Sequence, residues 1–145
     1  MSSSKKLVFL DTNVILSALF SAKQPASVIL NYFIDGKFEV AISQHVLEEV
    51  IHNIKLKLPK ALPVFQNLLI TVLPVIVENP SFEEIVEWSM VIKLEDAGIL
   101  AAAIAVHADF LITGDGHFFE STDVAAKSGL RIVTATQFLE TFQPA

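Results

Sequence analysis

The sequence predicts an α/β protein: a three-layer α/β/α sandwich with a central parallel sheet. Two observations lead there. Segments of strand character alternate with segments of helical periodicity along the chain, the pattern of a parallel sheet joined by crossover helices. The first strand, Leu7-Val8-Phe9-Leu10, is apolar at four consecutive positions rather than at every second one, as a strand buried on both faces is. That run stops on Asp11. In an open sheet of this class ligands bind at the carboxyl edge, because the loops leaving the strands diverge there. An acid therefore stands at the ligand-binding edge from the first strand onward.

Thr12 to Phe20 predicts a short helix, and Pro25 opens a second one to about Asp35, closed by Gly36. Phe38 to Ile42 is a second buried strand. Ser43 caps the helix that carries Val46, Leu47, Val50, Ile51 and Ile54 at helical spacing. Pro59 starts or interrupts the next helical piece, to about Ile70. Val72 to Val77 reads as a third strand, and Pro74 within it argues for an edge position, where a missing N–H is tolerated. Ser81-Phe82-Glu83-Glu84 is a capping box, so a helix follows to about Lys93. Asp96 begins another, apolar on all sides from Ile99 to Val106 and hence buried on most of them. Phe110 to Thr113 is a fourth strand, ending in the turn Gly114-Asp115-Gly116. Arg131 to Val133 is the last strand, followed by a helix from Thr134 to Phe142 with Thr134 and Gln137 as its cap pair. No repeat or linker interrupts this order, and residues 1–145 are read as one domain.

The chain is 52% hydrophobic, with a mean hydropathy of +0.56. Its longest uncharged apolar runs, Leu68 to Val77 and Ala97 to Val106, nevertheless fall far short of the roughly 20 residues of a spanning helix, so no membrane partner is expected. Lys5-Lys6 and the apolar stretch after them imitate a secretory signal, but Asp11 and Asn13 lie in the middle of what would be its apolar region. The absence of cysteine excludes disulfides and fits a reducing compartment, so a cytoplasmic location is expected. Ten Lys and Arg against sixteen Asp and Glu give a formal charge of −6, the wrong sign for binding nucleic acid through a basic surface. An acidic pocket holding a divalent metal remains compatible with a phosphate substrate, because the metal supplies local positive charge.

Asp11 and Asp115 both follow short apolar strands; if those strands are parallel, both carboxylates hang over one edge. Asp96 opens the helix before the Asp115 strand. A helix packed antiparallel to the strands starts at their carboxyl edge, and an acid in its first turn is favoured by the helix dipole. Three carboxylates then converge, which is unfavourable unless a proton or a cation sits among them. Hard oxygen ligands suit Mg²⁺ or Mn²⁺, and without cysteine or paired histidines nothing favours zinc. Such a cluster serves in-line displacement at phosphorus, where metal ions activate the attacking water and stabilise the leaving oxygen. A fourth acid lies on the Ser43 helix, where Glu48 and Glu49 flank the apolar stripe on opposite sides and periodicity does not choose between them. His117 reads as a surface or substrate-facing residue rather than a catalytic base, and His45, His52 and His107 as helix residues without metal-ligand spacing. Trp88 with Phe82, Ile85, Val86 and Val91 reads as core, or as a dimer face if exposed.

Four stretches in order resemble the motifs of the PIN domain: Leu10-Asp11-Thr12-Asn13, Ser43 to Val50, Asp96 to Ala103, and Ala108 to Phe118. Within that family the chain is most similar to the VapC-type proteins of prokaryotic toxin-antitoxin systems. The resemblance implies a PIN-like α/β/α sandwich, and takes Glu49 rather than Glu48, Asp96 rather than Glu95, and Asp115 rather than Asp109 as the site acids. It implies that Asp11, Asp96 and Asp115 hold Mg²⁺ or Mn²⁺, that Glu49 completes the pocket directly or through water, and that Asn13 and Thr113 orient the carboxylates by hydrogen bonding. The implied activity is a metal-dependent endoribonuclease acting on RNA. A homodimer is implied too, and in toxin pairs inhibition by a small antitoxin protein. A phosphatase of the haloacid dehalogenase type fits less well, since its second acid is here Asn13. A phospho-accepting receiver domain fits no better, since Thr134 follows Val133 where that fold wants a Lys. A non-catalytic interaction domain of the PIN fold has no reason to tolerate the repulsion of four intact acids.

Overall fold

The computed structural model describes residues 5–120 and 122–142. At its centre β1 (Leu7–Leu10) lies between β2 (Glu39–Ser43) and β4 (Phe110–Ile112), with β3 (Val75–Val77) and β5 (Arg131–Val133) outside them. The order is β3-β2-β1-β4-β5 and every neighbouring pair is parallel. Phe9 stands level with Leu111 and Leu10 with Ile112, so β1 and β4 end together at the carboxyl edge. Pro74 precedes a β3 that is an edge strand, as the sequence suggested.

From β1 the chain runs through α1 (Thr12–Phe20) and α2 (Pro25–Ile34) to β2. It continues through α3 (Gln44–Lys57), a 3₁₀ turn (Pro59–Ala61) and α4 (Leu62–Val72) to β3. Then α5 (Phe82–Trp88) and α6 (Leu94–Ala105) carry it back across the sheet to β4, and a 3₁₀ turn (Gly116–Phe119) and α7 (Thr122–Ser128) lead to β5 and α8 (Ala135–Thr141). Right-handed crossovers that step first one way and then the other put successive helices on opposite faces. Accordingly α1 packs on α2 and α3, α3 on α4 and α2 on α8, while α5 packs on α6. The direction reverses between β1 and β4, which makes the gap beyond their carboxyl ends the topological switch point.

β1 is buried over Val8, Phe9 and Leu10, and α6 is buried from Ala97 to Ala103 apart from Gly98, its small side chains letting it lie close to the sheet. Phe38, Phe110, Phe138 and Phe142 form a second centre, with ring centroids 4.9 to 5.5 Å apart in edge-on and stacked pairs. Among the described residues no single helix is long and apolar enough to cross a membrane; α1 and α2 together have the length and composition but meet at 93°.

Several boundaries differ from expectation for local reasons. Val72 ends α4 rather than starting a strand, because Leu73 turns into the left-handed region (φ 51°) and closes the helix, leaving only Val75–Val77 to pair. The capping box at Ser81 is present, yet α5 stops at Trp88, with the Ser89 hydroxyl bonded to the Val86 carbonyl. α6 starts at Leu94, which puts Asp96 in its first turn rather than at its head. α7 is too short to carry a helical period and has no counterpart in the sequence reading. Ile85 and Trp88 pack against the core, but Phe82 and Val86 are exposed, so the core reading of that segment is corrected for those two.

Phe138 is fully buried at the junction of α8, β2 and β4. Phe138→Ala is expected to cost about 3–5 kcal/mol, read as a lower urea midpoint at unchanged slope. A loss under about 1 kcal/mol would show that the aromatic centre contributes little.

Candidate active site

Asp11 follows β1 at the switch point and caps α1, its Oδ1 accepting from the Thr12 N–H at 2.7 Å. Its main-chain N–H continues the ladder to the Ile112 carbonyl, which fixes Thr113 beside it. The Thr113 hydroxyl accepts from the Asp115 N–H at 3.0 Å, so its own proton goes to Asp11 Oδ2 at 2.8 Å. One buried hydroxyl thus joins the ends of the two strands and orients both acids.

Asn13 plays a different part from the expected one. Its Oδ1 accepts from the Gly114 N–H at 2.9 Å rather than its amide donating to a carboxylate. The approach is close enough that a Cβ on residue 114 would stand 3.1 Å from that oxygen, which accounts for glycine there.

Asp96, whose side chain is 13% exposed, enters from the first turn of α6 and brings a carboxylate oxygen within 4.8 Å of one on Asp115. His117 completes this end: its Nδ1 lies 2.8 Å from Asp115 Oδ1 and 3.8 Å from Asp96 Oδ2, and its backbone N–H also bonds Asp115. Ligand atoms of Asp96, Asp115 and His117 all lie within 4.8 Å of one another, an arrangement that could hold a metal ion. Asp11 is not one of these three, although its charge reaches them. His117 is 40% exposed, at the surface, and is also bonded into the acidic cluster, a contact the sequence reading did not give.

Glu49 approaches from α3, half exposed, accepting from the Thr12 hydroxyl at 3.1 Å with His45 Nε2 3.4 Å away. That contact, beside Asp11 in sequence, places Glu49 near enough for its charge to act on the Asp11 carboxyl. Asp109, the other acid beside β4, stands at the opposite edge, where its carboxylate takes the Leu7 N–H at 2.8 Å.

The electrostatics follow from this packing. Burial pushes the Asp11 carboxyl up from its ordinary range, partly offset by the bonds from Thr113 and Thr12, with the charges of Asp115 and Glu49 adding to the rise. Asp96 is pushed up to about 6 by burial, by donating to Asp115, and by the charges of Asp115 and Asp11. Burial would raise Asp115 as well, but the His117 N–H, Asp96 and the imidazole outweigh it and hold that carboxyl below its ordinary range. The pair thus keeps one proton up to about pH 6, above the range where separate carboxyls lose theirs. Crowded oxygen donors with one imidazole beside them are a fitting donor set for Mg²⁺ or Mn²⁺.

The sequence reading missed the parts of Thr12 and Lys93. Lys93 Nζ lies 3.5 Å from His117 Nε2. Its position three residues before Asp96, just ahead of a helix start, was the available signal.

Thr113→Val is expected to destabilise the protein by about 1–3 kcal/mol in urea unfolding, leaving Asp11 Oδ2 and the Asp115 N–H without this partner, while Thr113→Ser recovers most of it. Equal losses in both variants would mean that the methyl group, not the hydroxyl, matters.

Comparison with known proteins agrees with the geometry. The VapBC2 structure from Rickettsia felis, bound to a DNA fragment from their promoter, superposes with a TM-score of 0.64 at 19% identity, over 87% of this chain and 96% of that one. FitAcB from Neisseria gonorrhoeae gives 0.62 at 18% identity, over 89% and 98%. PAE2754 from Pyrobaculum aerophilum gives 0.57 at 16%, over 93% and 88%. At these identities the likeness is one of fold. No curated protein matches in sequence. The family model of the PIN domain matches residues 7–117, which run from β1 to His117 and take in Asp11, Glu49, Asp96 and Asp115, and on that match the chain belongs to the PIN domain family.

Proposed function

We propose that this protein is a single-domain, metal-dependent endoribonuclease that cleaves RNA phosphodiester bonds. The observation that carries the proposal is the meeting of ligand atoms of Asp96, Asp115 and His117 within 4.8 Å of one another at the switch point, with Asp11 near enough for its charge to act on Asp96. Asp11, Asp96 and Asp115 are the residues that would hold Mg²⁺ or Mn²⁺. Glu49 closes the pocket from α3, directly or through water. The bound metal would supply a Lewis acid that polarises the scissile phosphate and favours deprotonation of the attacking water.

The chain's own residues prepare that step. Thr113 and the Thr12 N–H hold both oxygens of Asp11, so its carboxylate is fixed before any cation arrives. His117 fixes Asp115 in the same way. Glu49 is more exposed than the other acids and tied to Thr12, which leaves its carboxylate able to accept a proton at the open side of the pocket.

The biological reading follows the solved relatives. The likeness to VapBC2 and FitAcB supports a toxin whose activity is checked by a small antitoxin protein; the absence of cysteine supports a cytoplasmic place for it. The exposed apolar residues Phe82 and Val86, four apart on α5, supply surface for the homodimer this reading includes.

Cleavage of a mixed RNA substrate by purified protein tests the proposal. Activity is expected with Mn²⁺ or Mg²⁺, lost in EDTA, and reduced about 100-fold or more in both Asp11→Asn and Asp115→Asn, the scale of losing a group that stabilises the transition state. Equal cutting by wild type and both variants would overturn the site. Metal-dependent thermal stabilisation without cleavage of any RNA would turn the reading toward a PIN-fold binding domain.

A further inference from the structure

A strongly acidic protein that acts on a polyanion has to hold the strand somewhere, and the distribution of its cations narrows where. Lys5, Lys6, Lys37 and Arg131 precede or open strands and so lie toward the amino edge of the sheet, away from the acids. Lys23, Lys55, Lys57, Lys60 and Lys127 lie at or beyond the far ends of α1, α3 and α7, helices that run away from the carboxyl edge. Of the ten Lys and Arg residues, Lys93 is the one left at that edge.

Its surroundings set its direction. His117 Nδ1 lies 2.8 Å from Asp115 Oδ1 and its Nε2 lies 3.5 Å from Lys93 Nζ. Lys93, His117 and Asp115 therefore form a line from the open surface to the acidic cluster. Lys93 and His117 border a hollow of about 390 Å³, together with Ser89, Met90, Ile92 and Glu120. The hollow shares His117 with the cluster, and neither Asp96 nor Asp115 lines it.

We infer that Lys93 binds a phosphate of the single-stranded RNA adjacent to the one at the acids, so that the strand crosses the hollow between the end of α5 and the Gly116–Phe119 turn. The inference rests on the ribonuclease reading. Lys93 then acts in substrate binding, with His117 as the residue that positions it. Glu120, on the same hollow, opposes the phosphate and keeps the contact weak.

The test is a KM-against-kcat comparison with the metal-loaded protein on a fluorogenic single-stranded RNA at several salt concentrations. Lys93→Gln is expected to raise KM about 3- to 10-fold with kcat within about twofold, and to flatten the dependence of log(kcat/KM) on log[salt] by about 0.7, the loss of one phosphate contact to a single strand. Lys93→Arg should restore both, Glu120→Gln should lower KM, and Lys55→Gln, at the far end of α3, should change neither. An unaltered salt slope in Lys93→Gln overturns the inference, as does a fall in kcat at constant KM, which would make Lys93 only a counter-charge for the acids. Failure of wild type to cut or bind any RNA removes the ribonuclease reading itself. Cutting with no Lys93 effect removes only this contact.

Discussion

Carboxylates brought together at the end of a parallel sheet are the constraint on which this molecule turns. Asp96 and Asp115 bring carboxylate oxygens within 4.8 Å of each other, and Asp11 and Glu49 add negative charge from β1 and α3. Left to themselves these groups repel. They stay close because each is attached to an element that the core holds in place: Asp11 to the buried β1, Asp115 to β4 paired with it, and Asp96 to the tightly packed α6. The apolar excess of the sequence is the counterpart of this, since burial elsewhere offsets electrostatic cost at the edge.

Thr113 links the sheet to its acids. It stands level with Asp11 because β1 and β4 are in register, and its hydroxyl has only one way to satisfy both neighbours. The 2.9 Å bond from the Gly114 N–H to Asn13 then ties the β4 exit to the first turn of α1. Both arrangements follow from strand pairing and leave little freedom to the acid side chains.

Much of the fold was legible in the sequence because it follows from patterns that local physics enforces. Continuous apolarity marked β1 and β4 as buried strands, Pro74 marked an edge, and three caps at Ser43, Ser81 and Thr134 appeared where their side chains suggested. Val72 was misread because an apolar residue suits a helix end and a strand start alike, and only the left-handed turn at Leu73 decides between them. Of the site, the edge location of Asp11 and Asp115 could be argued from strand direction. The contact of Glu49 with Thr12 could not, since Glu48 and Glu49 flank the stripe symmetrically and the outcome depends on how α3 lies against α1. Nor could the link from His117 to Asp115 and Lys93, which needs the tight turn after β4 and the start of α6 to be placed against each other.

The proposed metal site makes a demand on protons that can be measured directly. With Asp96 raised to about 6, the native protein binds more protons than the unfolded chain between roughly pH 4 and 6, so this group's contribution to stability fades as pH rises through that window. A cation entering the cluster displaces the same proton. Titrating Mn²⁺ while following the free ion by electron paramagnetic resonance, from about pH 5 to 7.5, tests this. The account predicts that affinity climbs about tenfold per pH unit up to near 6 and then levels, and that Asp96→Asn binds more weakly with the climb gone. Absence of Mn²⁺ binding, or an affinity indifferent to pH across that range in wild type, would contradict the claim that these carboxylates are held together for a metal.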